Sequence, residues 1–335
     1  MSHLHPLAGL LLVGLGACAM SPAPDPAPQH PLIVTVVKVA SIPWFERMAE
    51  GVRAFGERSP AVRTRQVGPV RADAALQVDL IRQTLAHKPD ALALVPIDPA
   101  ATEAIAREAL ANGVVVVTHE ADNMVNTQAD VEAFDNAAFG AALNQRMARC
   151  MGHQGQWASF VGSRASRTHV QWTEGGEANA RQHPGMVLVA SMNESHDDAD
   201  RAYELARALL KRHPDLKGFQ GAASSDVIGI GRAVREAGAQ NRTCVFGTGL
   251  PSRTRALLDD GSVKGIGFWD AKDAGLAINE VARRLLAREP LSDGMDLGVP
   301  GYRRVSVRPG AGRGVVIVGD AALFADRSNH AIYPF

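Results

Sequence analysis

Short apolar runs alternate with amphipathic segments from Pro31 onward. The runs are rich in Val, Ile and Leu, and their length predicts buried β-strands at residues 32–37, 91–95, 114–118, 157–161, 186–190 and 244–247. Residues 72–88 and 101–113 carry apolar side chains at helical spacing, and the second segment ends at a glycine stop signal. This alternation predicts an α/β protein in which helices cover both faces of parallel sheets.

The number of strand and helix units is too large for one sheet. Two similar Rossmann-like lobes are the more economical prediction, since a chain of 335 residues normally folds as more than one compact domain. The first lobe is predicted to end near Asp135 and Asn136, and the second to begin with a helix over residues 137–151.

The N-terminus has the pattern of an export signal. Residues 7–15 form an apolar core that is too short to span a bilayer, so residues 1–17 are predicted to be a signal peptide. Residues 15–18 resemble a bacterial lipobox, in which Cys18 would carry a lipid and become the first mature residue. Residues 18–31 are rich in Pro and Ala and are predicted to form an extended tether. The alternative is a plain secretory signal with a chance cysteine.

Composition and motifs argue against several classes of function. The 35 basic residues balance 35 acidic ones, which speaks against a nucleic-acid partner. The chain has no GxSxG, HExxH or Walker motif, and residues 227–233 lack the third glycine of a dinucleotide fingerprint. A leader and tether before Pro31 leave no room for a helix-turn-helix repressor domain. Beyond Cys18 only Cys150 and Cys244 remain, and the sequence leaves their pairing open.

Polar side chains follow several of the predicted strands. Ligands of open α/β sheets bind beyond the carboxyl ends of the strands, so these positions are candidate site residues. They include Lys38, Glu120, Asp122, residues 163–169, residues 224–226 and Asp270. Each has an ordinary alternative as a solvated side chain or a helix cap. The acidic segment at residues 195–201 is predicted to be a solvated loop that precedes a helix.

Several segments resemble the periplasmic solute-binding proteins of sugar ABC importers, in the branch that contains the autoinducer-2 and rhamnose binders. The resemblance rests on residues 36–45, 91–101, 114–122, 213–218, 266–275, 299–305 and 314–335. It implies a type I periplasmic binding protein, with two lobes joined by a three-strand hinge that crosses near Asn136, Phe268 and Val299. Lobe 1 would then comprise residues 32–135 and 270–298, and lobe 2 residues 136–269 and 299–335.

The resemblance also implies a set of ligand contacts in the cleft between the lobes. The implied substrate-binding residues are Lys38, Trp44, Phe45, Glu120, Asp122, Thr168, His169, Ala222, Ser224, Trp269 and Asp270. Trp269 would pack on an apolar face of the ligand and Asp270 would accept hydrogen bonds from its hydroxyls. His169 would either confer pH sensitivity or remain neutral as a helix cap. Trp157 is expected in the core, and Trp172 in packing beneath the site.

Three of these positions depart from the autoinducer-2 pattern. Glu120 and Thr168 stand where that pattern has aspartate, and His169 stands where it has glutamine. Glu120 has a longer side chain than aspartate, and Thr168 lacks its charge. These differences favour a pocket of different shape, and therefore a monosaccharide or related small polyol as the ligand rather than autoinducer-2 itself.

The function implied is that of a monomeric, nonenzymatic receptor that delivers this solute to an ABC permease in the inner membrane. No cofactor and no metal are expected, and the membrane is contacted only through the lipid anchor. The alternative is a sensor that presents the solute, with autoinducer-2-like molecules among the candidates, to a membrane chemoreceptor or kinase.

Overall fold

The computed structural model describes residues 1–3 and 30–335. The predicted signal peptide beyond residue 3, Cys18 and the tether up to residue 29 lie outside the described residues, so the structure does not bear on lipidation. Within the described part of the chain, no helix is long and apolar enough to cross a membrane.

Strands and helices alternate along the described chain. The strands are β1 (Leu32–Val36), β2 (Arg63–Val67), β3 (Ala91–Leu94), β4 (Val115–His119), β5 (Ala129–Glu132), β6 (Gln154–Val161), β7 (Gly185–Glu194), β8 (Leu216–Gly221), β9 (Cys244–Thr248), β10 (Gly265–Phe268), β11 (Ser306–Pro309), β12 (Val315–Val318) and β13 (Leu323–Asp326). The α-helices are α1 (Pro43–Arg58), α2 (Ala74–Ala86), α3 (Pro99–Ala111), α4 (Asn136–Met151), α5 (Arg167–Ala180), α6 (Ala199–Arg212), α7 (Asp226–Glu236), α8 (Pro251–Asp259) and α9 (Ala271–Leu286). A 3-10 turn covers His330–Ile332.

Two mostly parallel sheets form the cores of two lobes. The sheet of lobe 1 has the strand order β11-β12-β5-β4-β3-β1-β2, and the sheet of lobe 2 has the order β13-β10-β9-β8-β6-β7. Among residues 30–335, only the pairings of β11 with β12 and of β10 with β13 are antiparallel. Central strands such as β3 and β4 are buried along their whole length because helices cover both faces. The predicted α/β fold with two parallel-sheet lobes is confirmed.

The part of the chain from residue 30 onward crosses between the lobes three times. It passes from β5 to α4 through residues 133–135, from β10 to α9 through residues 269–270, and from β12 to β13 through residues 319–322. The first and third crossings are hydrogen-bonded to each other, since the Ala321 amide donates to the Ala133 carbonyl at 3.0 Å.

The C-terminal part of the predicted lobe division is wrong. Residues 299–335 were expected in lobe 2 with a crossing near Val299, but β11 and β12 belong to the sheet of lobe 1. The reason is the apolar strand β12, which pairs in parallel with β5 from Val315 opposite Ala129 to Val318 opposite Glu132. Val299 is a buried residue of lobe 1. Of residues 299–335, the segment from β13 onward is the part that joins the sheet of lobe 2.

Helices α4 and α5 approach each other closely in lobe 2. A Cβ added at Gly140 would lie 1.9 Å from the Trp172 carbonyl oxygen, and one at Gly175 would lie 2.2 Å from the Ala137 carbonyl oxygen. Glycine is therefore required at both positions, and it lets the two backbones pack in direct contact. This packing fixes α5, whose first turns face the cleft.

A disulfide bond joins Cys150 at the end of α4 to Cys244 at the start of β9, at a sequence separation of 94. It ties a covering helix of lobe 2 to the middle of its sheet. The pairing that the sequence left open is thus present in the structure.

Candidate functional site

A cavity lies between the lobes, at the carboxyl ends of their parallel strands. This central cavity has about 300 Å³ of space not occupied by protein atoms, its mouth included. It is lined by Lys38, Ile42, Trp44, Phe45, Glu120, His169, Trp172, Asp197, Ala222, Ser224, Thr248 and Trp269. Eight of the eleven side chains predicted from the sequence are in this lining; Asp122, Thr168 and Asp270 are not.

A buried ion pair forms one wall of the central cavity. Lys38 follows β1 and Glu120 follows β4, and the Lys38 Nζ to Glu120 Oε2 distance is 2.6 Å. The side chains are only 4% and 5% exposed, so the pair is largely desolvated in the closed cleft. Glu120 has a φ of 62°, a left-handed conformation that is costly for a residue other than glycine. The backbone is held there by its surroundings, which aim the carboxylate at Lys38.

Lobe 2 contributes two hydroxyl groups to this pair. Lys38 Nζ donates to Ser166 Oγ at 3.2 Å, and Thr168 Oγ1 donates to Glu120 Oε2 at 3.3 Å. Thr168 is fully buried behind Glu120, so it supports the pair rather than lining the cavity. Burial raises the pKa of Glu120, but the Lys38 ammonium outweighs it with help from nearby histidines and brings the pKa to about 2. Glu120 is therefore an ionised acceptor at neutral pH.

Aromatic rings form the opposite walls. Trp44 and Phe45 begin α1 in lobe 1, Trp269 lies at the second crossing, and Trp172 comes from α5 in lobe 2. Trp269 is at the centre of the cluster, with its ring centroid 4.5 Å from that of Trp44 and 5.6 Å from that of Trp172. Its buried Nε1–H has no hydrogen-bond acceptor among the described residues. Flat apolar faces with a free donor suit a ligand that has both C–H surfaces and oxygens.

His169 is a neutral donor. Its Nδ1 accepts a hydrogen bond from the Gly162 amide at 3.1 Å, which places the ring proton on Nε2. Burial, followed by the nearby Lys38 charge, lowers the pKa of His169 to about 3. The alternative that His169 provides pH sensitivity near neutrality is therefore not supported, and the neutral form prevails.

The loop between β8 and α7 supplies Ala222 and Ser224. Its backbone is held by Asp226, whose Oδ2 accepts hydrogen bonds from the amides of Ala222 and Ala223 at 3.1 and 2.8 Å. Asp226 is fully buried, and burial raises its pKa to about 7. Asp226 positions the loop without lining the central cavity.

Asp122 connects the lobes instead of facing the ligand space. It accepts hydrogen bonds from Arg167 Nε at 2.8 Å and Gln171 Nε2 at 3.0 Å, both on α5 of lobe 2. Arg308 on β11 of lobe 1 donates to the same carboxylate at 3.2 Å. The predicted ligand contact is therefore replaced by an interlobe hydrogen-bonded cluster at the edge of the cleft.

Asp270 also faces away from the central cavity. It caps α9 by accepting from the Lys272 amide at 2.9 Å, and it accepts two hydrogen bonds from Arg47, from Nε at 2.9 Å and Nη2 at 2.7 Å. The expected role as an acceptor for ligand hydroxyls does not fit this geometry. Of this adjacent pair Trp269 lines the cavity and Asp270 does not, because the α9 N-terminus and Arg47 hold the Asp270 carboxylate.

Four lining residues, Ile42 among them, were missed or misjudged from the sequence. Asp197 lies in the segment predicted to be a solvated loop, yet its carboxyl lines the cavity, and burial raises its pKa. Thr248 ends β9, and its buried hydroxyl has no partner among the described residues. Trp172 was expected beneath the site but lines it. The strand was predicted to end at residue 190, whereas β7 extends to Glu194. Asp197 follows this true end closely, so a correct strand end would have marked it as a candidate site residue.

The arrangement is suited to binding a small polar molecule with apolar faces. Acceptors come from Glu120 and Asp197, and donors come from Lys38 and His169. Stacking surfaces come from both lobes, so a bound molecule would bridge them. Hydroxyl groups of a polyol match such a set, and a molecule lacking them would leave buried polar groups unpaired.

Residues 33–290 match the family model described as periplasmic binding protein domain. Among curated proteins, the chain is 26% identical to the D-ribose/D-allose-binding protein of Pseudomonas aeruginosa over 84% of this chain and 92% of that protein.

Two solved structures share the fold. LsrB from Clostridium saccharobutylicum in complex with AI-2 superposes with a TM-score of 0.83 and 18% identity, over 91% of this chain and all of that one. An ABC transporter solute-binding protein from Clostridium phytofermentas with bound L-rhamnose gives a TM-score of 0.82 and 18% identity, over 91% of this chain and 98% of that one. The family resemblance seen in the sequence is confirmed.

Proposed function

The chain belongs to the periplasmic binding protein domain family, and from this premise we propose that it captures a small sugar or related polyol between its lobes and delivers it to an ABC import permease. The observation that carries the proposal is the central cavity between the lobes, in which lobe 1 provides the Lys38–Glu120 pair and both lobes provide aromatic walls. No catalytic step is part of the proposal, since these residues suit recognition.

The relatives narrow the range of ligands to test. D-ribose, D-allose, L-rhamnose and AI-2 are named for proteins that resemble this chain. The ligand contacts proposed for this chain are Lys38, Glu120, His169, Asp197 and Trp269. Two carboxylates and one lysine face the cavity, so a neutral ligand is favoured over a sugar acid or sugar phosphate.

Lobe closure is the proposed signal to the permease. Ser166 and Thr168 of lobe 2 are hydrogen-bonded to the Lys38–Glu120 pair of lobe 1, so separation of the lobes would break these contacts. A ligand that contacts both lobes stabilises this closed form, because it binds the closed form better than the open one.

An extracytoplasmic location follows from the same proposal. The Cys150–Cys244 disulfide is of the kind that persists in an oxidising compartment such as the periplasm. Export through the predicted signal peptide and lipid attachment at Cys18 remain predictions. Cys18→Ser is expected to release the protein from the membrane fraction without changing ligand affinity; a variant that stays anchored would contradict the lipobox.

The test is a thermal-shift screen of the purified full chain, freed of copurified ligand, against monosaccharides, deoxysugars, polyols and AI-2. A ligand that binds only the folded protein raises its melting temperature. We expect one sugar to act selectively and Lys38→Met to lose the shift. A folded chain that responds to none of them would contradict the proposal, and copurification with a receptor kinase alone would favour a sensor.

A further inference from the structure

A second cavity adjoins the central one and is lined by residues of both lobes. This outer cavity has about 670 Å³ of space not occupied by protein atoms, its mouth included. Ile42, Trp44, Asp197 and Ser224 line both cavities. The two cavities therefore lie side by side and meet at these four residues.

The walls of the outer cavity are mainly apolar and come from both lobes. Ile42, Pro43 and Trp44 at the start of α1 face it from lobe 1. Ile228 on α7 and Leu250 before α8 face it from lobe 2. Both lobes thus present apolar surface to the same space, and this surface remains exposed to water unless a ligand covers it.

The charged side chains around the outer cavity disfavour an anion. Asp197 and Asp198 place two carboxylates there against the single guanidinium of Arg253. Asp198 is already used as the cap of α6, where it accepts from the Arg201 amide at 2.8 Å. A phosphate or carboxylate substituent would meet repulsion, whereas an uncharged apolar group would not.

We propose that the ligand is a glycoside of a small sugar, with its sugar ring in the central cavity and an uncharged apolar aglycone in the outer cavity. This inference rests on the proposed function and adds the class of substrate. The aglycone is an alkyl or aryl group, because it must match apolar walls rather than a second set of hydrogen-bonding groups. Asp197, which borders both cavities, lies where the sugar ring joins the aglycone.

The test compares matched ligands by calorimetric titration of the purified full chain. The probes are D-ribose, D-allose and L-rhamnose together with the methyl and phenyl glycosides of each, in both anomeric forms. For the sugar that binds, one phenyl glycoside should bind roughly tenfold or more tightly than its methyl counterpart, equal to about 1.4 kcal/mol. Burial of the phenyl ring against the outer walls is the physical source of the gain.

Variants of Ile228 locate the effect. Ile228→Trp fills the outer cavity without reaching the central one, so it should abolish the phenyl advantage and leave the methyl glycoside unaffected. Ile228→Ala is the second variant, to be used if the larger Trp side chain prevents folding. It should reduce the affinity of the phenyl glycoside relative to that of the methyl glycoside severalfold. Val187→Trp is the matched control, since Val187 is 54% exposed on β7 and lines neither cavity.

The outcomes separate this inference from the proposed function. Equal affinity for phenyl and methyl glycosides, or exclusion of phenyl glycosides while free sugars bind, would overturn the inference and leave the sugar-binding function standing. A phenyl advantage that persists in both Ile228 variants would also overturn it. Failure of every sugar and glycoside to bind a folded chain would overturn the proposed function as well.

Discussion

Replacing Asp270 separates a structural role from a ligand-binding one. In Asp270→Ala, α9 loses the side chain that caps its first turn, which is worth about 1 kcal/mol. The same change removes the paired hydrogen bonds from Arg47, and since the two side chains are 22% and 14% exposed, we assign this ion pair about 1 kcal/mol. The free energy of unfolding should therefore fall by about 2 kcal/mol, and the melting temperature by a few degrees.

Asp270→Asn is the matched control for this experiment. Asparagine caps a helix as well as aspartate does, so this variant should lose only the ion pair, about 1 kcal/mol. In an Arg47→Met background, which has no ion pair to lose, Asp270→Asn should cost almost nothing.

The assay is thermal unfolding followed by circular dichroism, with sugar affinity measured on the same samples by calorimetry. Both Asp270 variants should retain affinity near that of the unmodified chain, because Asp270 does not line the central cavity. An Asp270→Ala protein that melts with the unmodified chain yet no longer binds sugar would refute this reasoning and make Asp270 a ligand contact.

Three further outcomes follow from the structure. Replacing both disulfide cysteines by serine opens a constraint across 94 residues, so unfolding should cost about 2–5 kcal/mol less; melting curves that match the unmodified chain would contradict this. Arg167→Met removes a contact between Asp122 and lobe 2 and should weaken sugar binding roughly fivefold by disfavouring closure, whereas Arg308→Met removes a contact to Asp122 within lobe 1 and should have less effect; calorimetry giving the reverse order would contradict the interlobe role. The pKa of Asp226 is raised to about 7, so the folded chain binds more protons than the unfolded one between about pH 4 and 7 and loses stability as pH rises through that window. Asp226→Asn removes this dependence. The free energy of unfolding of the variant, relative to that of the unmodified chain, should therefore be roughly 2–3 kcal/mol higher at pH 8 than at pH 5 when both are measured by denaturation. Parallel pH profiles of the two proteins would refute the raised pKa of Asp226.

The strand pattern predicted the fold because buried parallel strands are marked by continuous apolar runs. Lys38, Glu120 and Trp269 could be assigned to one cleft because all three directly follow such runs, and the carboxyl ends of parallel strands converge. The same rule missed Asp197, since the last residues of β7 are polar and the strand lies at the edge of its sheet.

Side-chain direction and long-range strand pairing could not be predicted from the sequence. Asp270 follows its strand as Trp269 does, but only the structure shows that Arg47 on another helix draws its carboxylate away from the cavity. Asp122 likewise accepts a hydrogen bond from Arg167, which is distant in the chain. The placement of β12 beside β5 depends on a pairing between segments far apart in sequence, and no local pattern distinguishes the two lobes for it.

The most direct test of sugar capture between the lobes is a tryptophan-emission titration of the purified full chain with D-ribose, D-allose, L-rhamnose and AI-2. Trp44, Trp172 and Trp269 line the central cavity, and the chain has only four tryptophans in all. A ligand that fills the cavity should therefore produce a large, saturable change in emission, which Lys38→Met should abolish. Unchanged emission across these sugars, their glycosides and other small polyols, in a folded chain free of ligand, would contradict the account.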